Sequence, residues 1–141
     1  MTLIKTTRKL IFLSTLALAI IGCTFTKTYL KNPVFNKSSD SIQMDLNKFI
    51  SYQEISVLGK EILTNNKSNS ELDINITNGQ NIPTDQNEMI ALGKQIAIVI
   101  KKSLQNENEY QTYRVLFVTK TENSGITKSY SKGKIFKSEE L

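Results

Sequence analysis

The chain has no histidine, no tryptophan, one cysteine and two prolines in 141 residues. Without histidine, Ser/His/Asp triads, Cys/His nucleophile pairs and zinc sites of the Cys/His type are closed to it. A single cysteine, Cys23, cannot form a disulfide within the chain. Two arginines stand against sixteen lysines, which leaves little capacity for the bidentate phosphate contacts that guanidinium groups supply. No apolar run reaches the roughly 20 residues a spanning helix needs. The longest, Leu10 to Ile21, is broken by Ser14-Thr15. Carboxylates are the only acid/base groups left, and no metal, cofactor or nucleic-acid partner is expected from such a set.

What the chain does have is concentrated at its start. Lys5, Arg8 and Lys9 precede the apolar run, and Gly22-Cys23 closes it before polar Thr24, Thr26 and Lys27. A basic segment, an apolar core of about 7 to 15 residues and small residues at a cut site make the pattern of a secretory signal. The tetrapeptide Ile20-Ile21-Gly22-Cys23 resembles the lipobox of bacterial lipoproteins. The resemblance implies a diacylglyceryl group on the Cys23 thiol, cleavage between Gly22 and Cys23, and a lipid-anchored protein of the bacterial cell envelope. Two acyl chains at about 0.8 kcal/mol per buried methylene hold far more firmly than one. Thr24 is not the Asp that resembles an inner-membrane retention signal, so the periplasmic side of an outer membrane is favoured.

Loss of residues 1–22 would also remove three of the five net positive charges. The mature chain, nearly balanced and 119 residues long, is then one domain by length. It divides into a flexible lipidated tether over 23–40, in which Val34-Phe35 could dock, and a domain over 41–141.

Within that domain Ile42, Met44 and Leu46 alternate weakly as a strand would. Ser51-Tyr52-Gln53-Glu54 has capping-box spacing, with Ile50 and Ile55 as a hydrophobic staple, and predicts a helix from Ser51 to Thr64-Asn65-Asn66. Leu72, Ile74 and Ile76 alternate with Glu71, Asp73 and Asn75, the mark of a half-buried strand ended by Asn78-Gly79. Met89, Leu92, Ile96, Val99, Ile100 and Leu104 recur at helical steps behind an Asp85 cap. Tyr113 to Lys120 is apolar on both faces, as a central strand is, and Asn123-Ser124-Gly125 turns it into a polar edge strand over Ile126–Lys137. The expected fold is α+β: a small mixed or antiparallel sheet of about three strands on one or two helices, with parallel strands at Leu72 and Val118. The predicted core is Leu72, Ile74, Ile76, Leu92, Ile96, Val99, Ile100, Val115 and Phe117. A likeness between 54–62 and 88–96, each with Gly-Lys inside it, admits either a duplicated helix-strand unit or coincidence.

Three sites are candidates for function. Cys23, with Gly22, is the lipidation and cleavage site. Lys128, Tyr130, Lys132, Lys134 and Phe136 share one side of the last strand, where they could meet anionic headgroups, an acidic polymer or an acidic envelope protein, or simply protect an edge. Glu71 and Asp73 are the nearest to a carboxylate pair, with a solvated strand face as the plain alternative. The expectation is a non-catalytic, membrane-anchored binding or accessory protein. Alternatives are a carrier of a hydrophobic ligand, which an apolar cavity of a few hundred Å³ would support, or a hydrolase using carboxylates alone.

Overall fold

The computed structural model describes residues 25–141. Their order is strand β1 (Thr26–Leu30), helix α1 (Ser39–Leu46), strands β2 (Glu54–Thr64) and β3 (Lys67–Thr77), helix α2 (Gln86–Lys102), then strands β4 (Thr112–Asn123) and β5 (Ile126–Lys137). Short 3-10 turns follow α2 and β5. The fold is α+β with five strands rather than about three, and their order across the sheet is their order along the chain. All neighbours are antiparallel except β3 and β4. A crossover through α2 brings that pair together as parallel neighbours, as the spacing between Leu72 and Val118 predicts.

The largest correction lies between Ser51 and Asn66, where the structure has β2 in place of a helix. The capping residues go elsewhere: the Ser51 carbonyl accepts from Gln80 N–H at 2.8 Å, and Gln53 N–H donates to the Thr77 carbonyl at 3.1 Å. Asn65 and Asn66 both have positive φ, 49° and 63°, the backbone of a two-residue hairpin turn whose hand matches strand twist. β2 and β3 pair in register from Glu54↔Thr77 to Thr64↔Lys67, and that long ladder overrides a capping pattern only four residues wide.

The converse holds at 39–46. Ile42 and Leu46, one helical turn apart, are buried while Met44 between them is exposed, so α1 replaces the weak strand. Ser38 caps it, its hydroxyl accepting from Ser41 N–H at 3.3 Å. The stretch 23–40, expected as a tether, carries β1 paired with Lys60–Thr64. It also holds a bridge from Phe35 to Leu104.

α2 begins as its sequence predicts: the Asp85 carboxylate accepts from Asn87 and Glu88 N–H at 2.9 and 3.0 Å. Its buried stripe is Met89, Gly93, Ile96, Ala97 and Ile100. Leu92 and Val99, predicted as core, are instead partly buried on its flanks. The small residues face the sheet because Phe136 and Phe117 stand there; a Cβ on Gly93 would lie 3.6 Å from the Phe136 ring. Beneath them Leu72, Ile74, Ile76 and Val115 have no exposed surface. The segments 54–62 and 88–96 fold as a strand and a helix, so their likeness is not a repeated structural unit. β4 lies inside the sheet but beside the last strand, and the central strand is β3.

Candidate functional site

Gly22 and Cys23, the expected cleavage and lipidation site, lie outside the described residues. The described chain starts at Phe25, whose carbonyl accepts from Asn65 N–H at 3.2 Å. The N-terminal end of the domain is thus fixed beside the β2–β3 turn.

Glu71 and Asp73 do share a strand face, the one that no helix among the described residues covers, yet they are 6% and 7% exposed. Lys60 from β2 lies 2.9 Å from each carboxylate, and the Arg114 guanidinium of β4 lies 2.6 Å from Asp73 and 3.6 Å from Glu71. Both Arg114 Nε and Nη2 donate to Asp73, a bidentate pair. Burial works to raise the Asp73 carboxyl, but the hydrogen bonds from Arg114 and Lys60 outweigh it and hold Asp73 below the usual carboxylate range. Burial likewise opposes the charge on Lys60, and its two acidic partners prevail and raise it. The result is a neutral four-residue network, with Leu58 paired across from Asp73 and Ile135 across from Arg114. Neither acid has the free lone pairs and open space that general acid/base work or cation capture requires. Among the described residues no three His, Cys, Asp or Glu side chains gather as a metal-holding group. Arg114 went unnoticed in the sequence. Its signal was its place, the sole arginine after Arg8 and inside an apolar strand, where a buried acid is needed to tolerate it.

The C-terminal hairpin divides. Phe136 is 4% exposed and belongs to the core against Gly93, so it leaves the candidate binding face. From Thr119 to Ile135 every residue is exposed: β4 and β5 run on past the last β3 row at Thr77↔Val118, and over Ser131–Ile135 β5 is the edge strand of the sheet. Lys120, Lys128, Lys132 and Lys134 stand there with Glu122 as the one acid. None of these lysines has an ion-pair partner among the described residues. Lys132 Nζ lies 5.7 Å from the Tyr130 ring centroid, a cation–π contact. The turn Ser124-Gly125 has positive φ at both residues, as the sequence predicts. Because β4 is parallel to β3 and continues beyond Thr77↔Val118, this turn lies at the sheet end opposite Phe25. At about 3.3 Å per residue the strands separate the two by roughly 50 Å.

A third feature was only partly anticipated. An open groove of about 450 Å³ runs between α1, the β2 edge and Ile100, lined by Phe35, Ile42, Tyr52, Ile55 and Val57 among others. It exists because Asn32-Pro33 leads the chain off the β2 edge and α1 stops short of covering Ile55 and Val57. The Tyr52 hydroxyl is buried with no hydrogen-bond partner among the described residues, and desolvation raises its pKa. In the sequence Val34-Phe35 signals docking, whereas Tyr52 falls in the expected helix that β2 replaces. No protein-family model, curated protein or solved structure matches this chain.

Proposed function

We propose that the protein is a non-catalytic, lipid-anchored binding protein of the bacterial envelope, held by a diacylglyceryl group on Cys23 after cleavage at Gly22. In this reading it engages an anionic envelope polymer through Lys120, Lys128, Tyr130, Lys132 and Lys134. The observation that carries it is the position of this basic hairpin. Its tip, with Lys120, Lys128 and Tyr130, runs past the last β3 row at the end of the sheet remote from Phe25. Lys132 and Lys134 continue along the exposed edge strand level with Phe117 and Val115, and none of these lysines is ion-paired among the described residues. A short link from Cys23 to Thr26 would hold the opposite end at the membrane, so the lysines face away from the headgroups of that membrane. The ion pairing of Glu71 and Asp73 weighs against a carboxylate-only hydrolase.

Two measurements test the reading. Labelled-lipid incorporation is expected in the wild type and lost in Cys23→Ser; equal labelling removes the anchor. Binding of the full-length protein to a soluble polyanion is expected to fall at least 100-fold in a Lys128→Glu/Lys132→Glu/Lys134→Glu variant, since each lysine near a charged surface contributes about 1 kcal/mol. Unchanged binding rejects the hairpin as the site.

The groove favours a second reading, a carrier of a hydrophobic ligand, because its volume falls in the range of small-ligand sites. A lipid that co-purifies with the delipidated domain and is displaced by Val57→Trp would choose it.

A further inference from the structure

The outer edge of β2 is only half used. β1 covers it from Thr64 to Lys60, and one more bond, from Lys31 N–H to the Gly59 carbonyl at 2.8 Å, closes the ladder. Pro33, with no N–H and a fixed φ, then takes the chain away. Along a strand the backbone polar groups alternate in direction with period two, so those of Val57 and Ile55 point the same way as the Gly59 carbonyl, away from β3. No described residue bonds them. The backbone groups of Ser56 and Leu58 point the other way, to β3.

An edge of in-register donors and acceptors is a template for another strand. The groove of about 450 Å³ lies against this edge on the helix side. Ile55 and Val57 pair with Ile76 and Ile74, so their side chains share that inner face and border the groove. A strand added here would place alternate side chains in the same space.

We infer that the Ile55–Val57 edge and its groove form a strand-addition site for an extended segment of a partner protein, about five residues long, apolar at every second position. The occupant continues an interface already built, the β1–β2 ladder, in the direction β1 abandons. With the cleavage before Cys23 proposed above, the chain's own N-terminus is too short to supply it: Thr26 is level with Thr64, seven rows or roughly 23 Å from Val57, and only two residues would precede Phe25. An acyl chain could fill the groove but would leave the backbone groups unsatisfied. This site and the basic hairpin lie on different edges of the sheet, so either can stand without the other.

The test uses the full-length protein in detergent and a library of seven-residue peptides with Val, Ile or Leu at alternate positions and Thr or Lys between. Without peptide, the Ile55 and Val57 amides are expected to exchange with solvent at least 100-fold faster than those of Ser56 and Leu58. The best binder is expected to protect both. N-methylation of its amides that face β2 is expected to weaken it at least 10-fold, and methylation of the alternate amides to leave it unchanged. Val57→Pro removes an edge N–H that β3 does not use and is expected to abolish binding, with Val57→Ala as the control for side-chain loss. If the proline variant loses its thermal transition, the N-methyl scan alone decides. The inference is overturned by a library without binders, by binding indifferent to N-methylation, or by a fatty acid that displaces the peptide while exchange at both amides stays fast. It is also overturned if both amides are protected without peptide in a concentration-dependent dimer, which would make the occupant a second copy.

Discussion

The Tyr110 hydroxyl donates to the Lys31 carbonyl across 2.9 Å and thereby ties the exit of β1 to the segment that leads into β4. Lys31 returns the contact, its ammonium 5.8 Å from the Tyr110 ring centroid and 3.3 Å from Glu109. Tyr110→Phe keeps the ring and loses the bond. It is expected to destabilise by about 1 kcal/mol and to raise hydrogen exchange in β1 more than in β3, read residue by residue by NMR.

The same junction explains a glycine. A Cβ on Gly59 would run into the Lys31 carbonyl and lie 2.5 Å from the Tyr110 hydroxyl. Gly59→Ala is therefore expected to cost about 3 kcal/mol, whereas Gly93→Ala meets only ordinary contact with Phe136 and is expected to gain up to about 1 kcal/mol of helix propensity. Thermal unfolding of the two variants, shifting in opposite directions, checks the pair.

Arg114→Ala leaves Asp73 on the sheet with Lys60 alone. Removing one partner from a largely buried ion network is expected to cost about 3 kcal/mol. A double variant, Arg114→Met with Asp73→Leu, is expected to recover most of that, since no charge is then left unmatched. Urea unfolding of the two variants measures the difference.

Stability is expected to fall at both ends of the pH scale. Hydrogen bonds from Lys37 and Lys48 lower Asp45 from 3.8 to about 2. A carboxyl lowered by folding stabilises above its unfolded value, and that contribution is lost as pH drops from about 3.8 to 2. Asp45→Asn should flatten the melting temperature in that window. Burial pushes the Tyr113 phenol up to about 12, helped by nearby Glu107. A group raised by folding contributes fully below its unfolded value and is lost as pH rises, here between about 10 and 12. Tyr113→Phe should remove that alkaline step.

The parts of the fold legible in the sequence were those where local and tertiary preferences agree. Leu72, Ile74 and Ile76 alternate because one face meets α2. Asp85 caps α2, and Ser124-Gly125 supplies the turn backbone directly. The segment from Ser51 to Ile62 misled because its capping box is a local signal, while the pairing of Glu54–Thr64 with β3 is set by residues up to 23 positions away. Ile42 and Leu46 misled for the opposite reason, since three apolar residues at alternate places also contain one helical repeat. For the site, alternation put Glu71 and Asp73 on the face away from α2 but could not say that Lys60 and Arg114 flank them. That depends on strand order, which no single strand encodes. Phe136 was placed among the lysines by alternation, correctly for the face. It is buried because Gly93 of α2 leaves room for its ring, a contact that alternation along one strand does not encode.

Strand order that follows chain order has a consequence for how the molecule forms. Two hairpins, closed by Asn65-Asn66 and Ser124-Gly125, join sequence neighbours and can zip within roughly microseconds. The other two ladders must wait for longer segments: β1–β2 for residues 31–53, which carry α1, and β3–β4 for residues 78–111 to coil into α2 and return. Refolding should therefore be limited by closing these two long-range seams, with rates that respond to changes in α1, α2 and the β1–β2 and β3–β4 ladders more than to changes at the two turns.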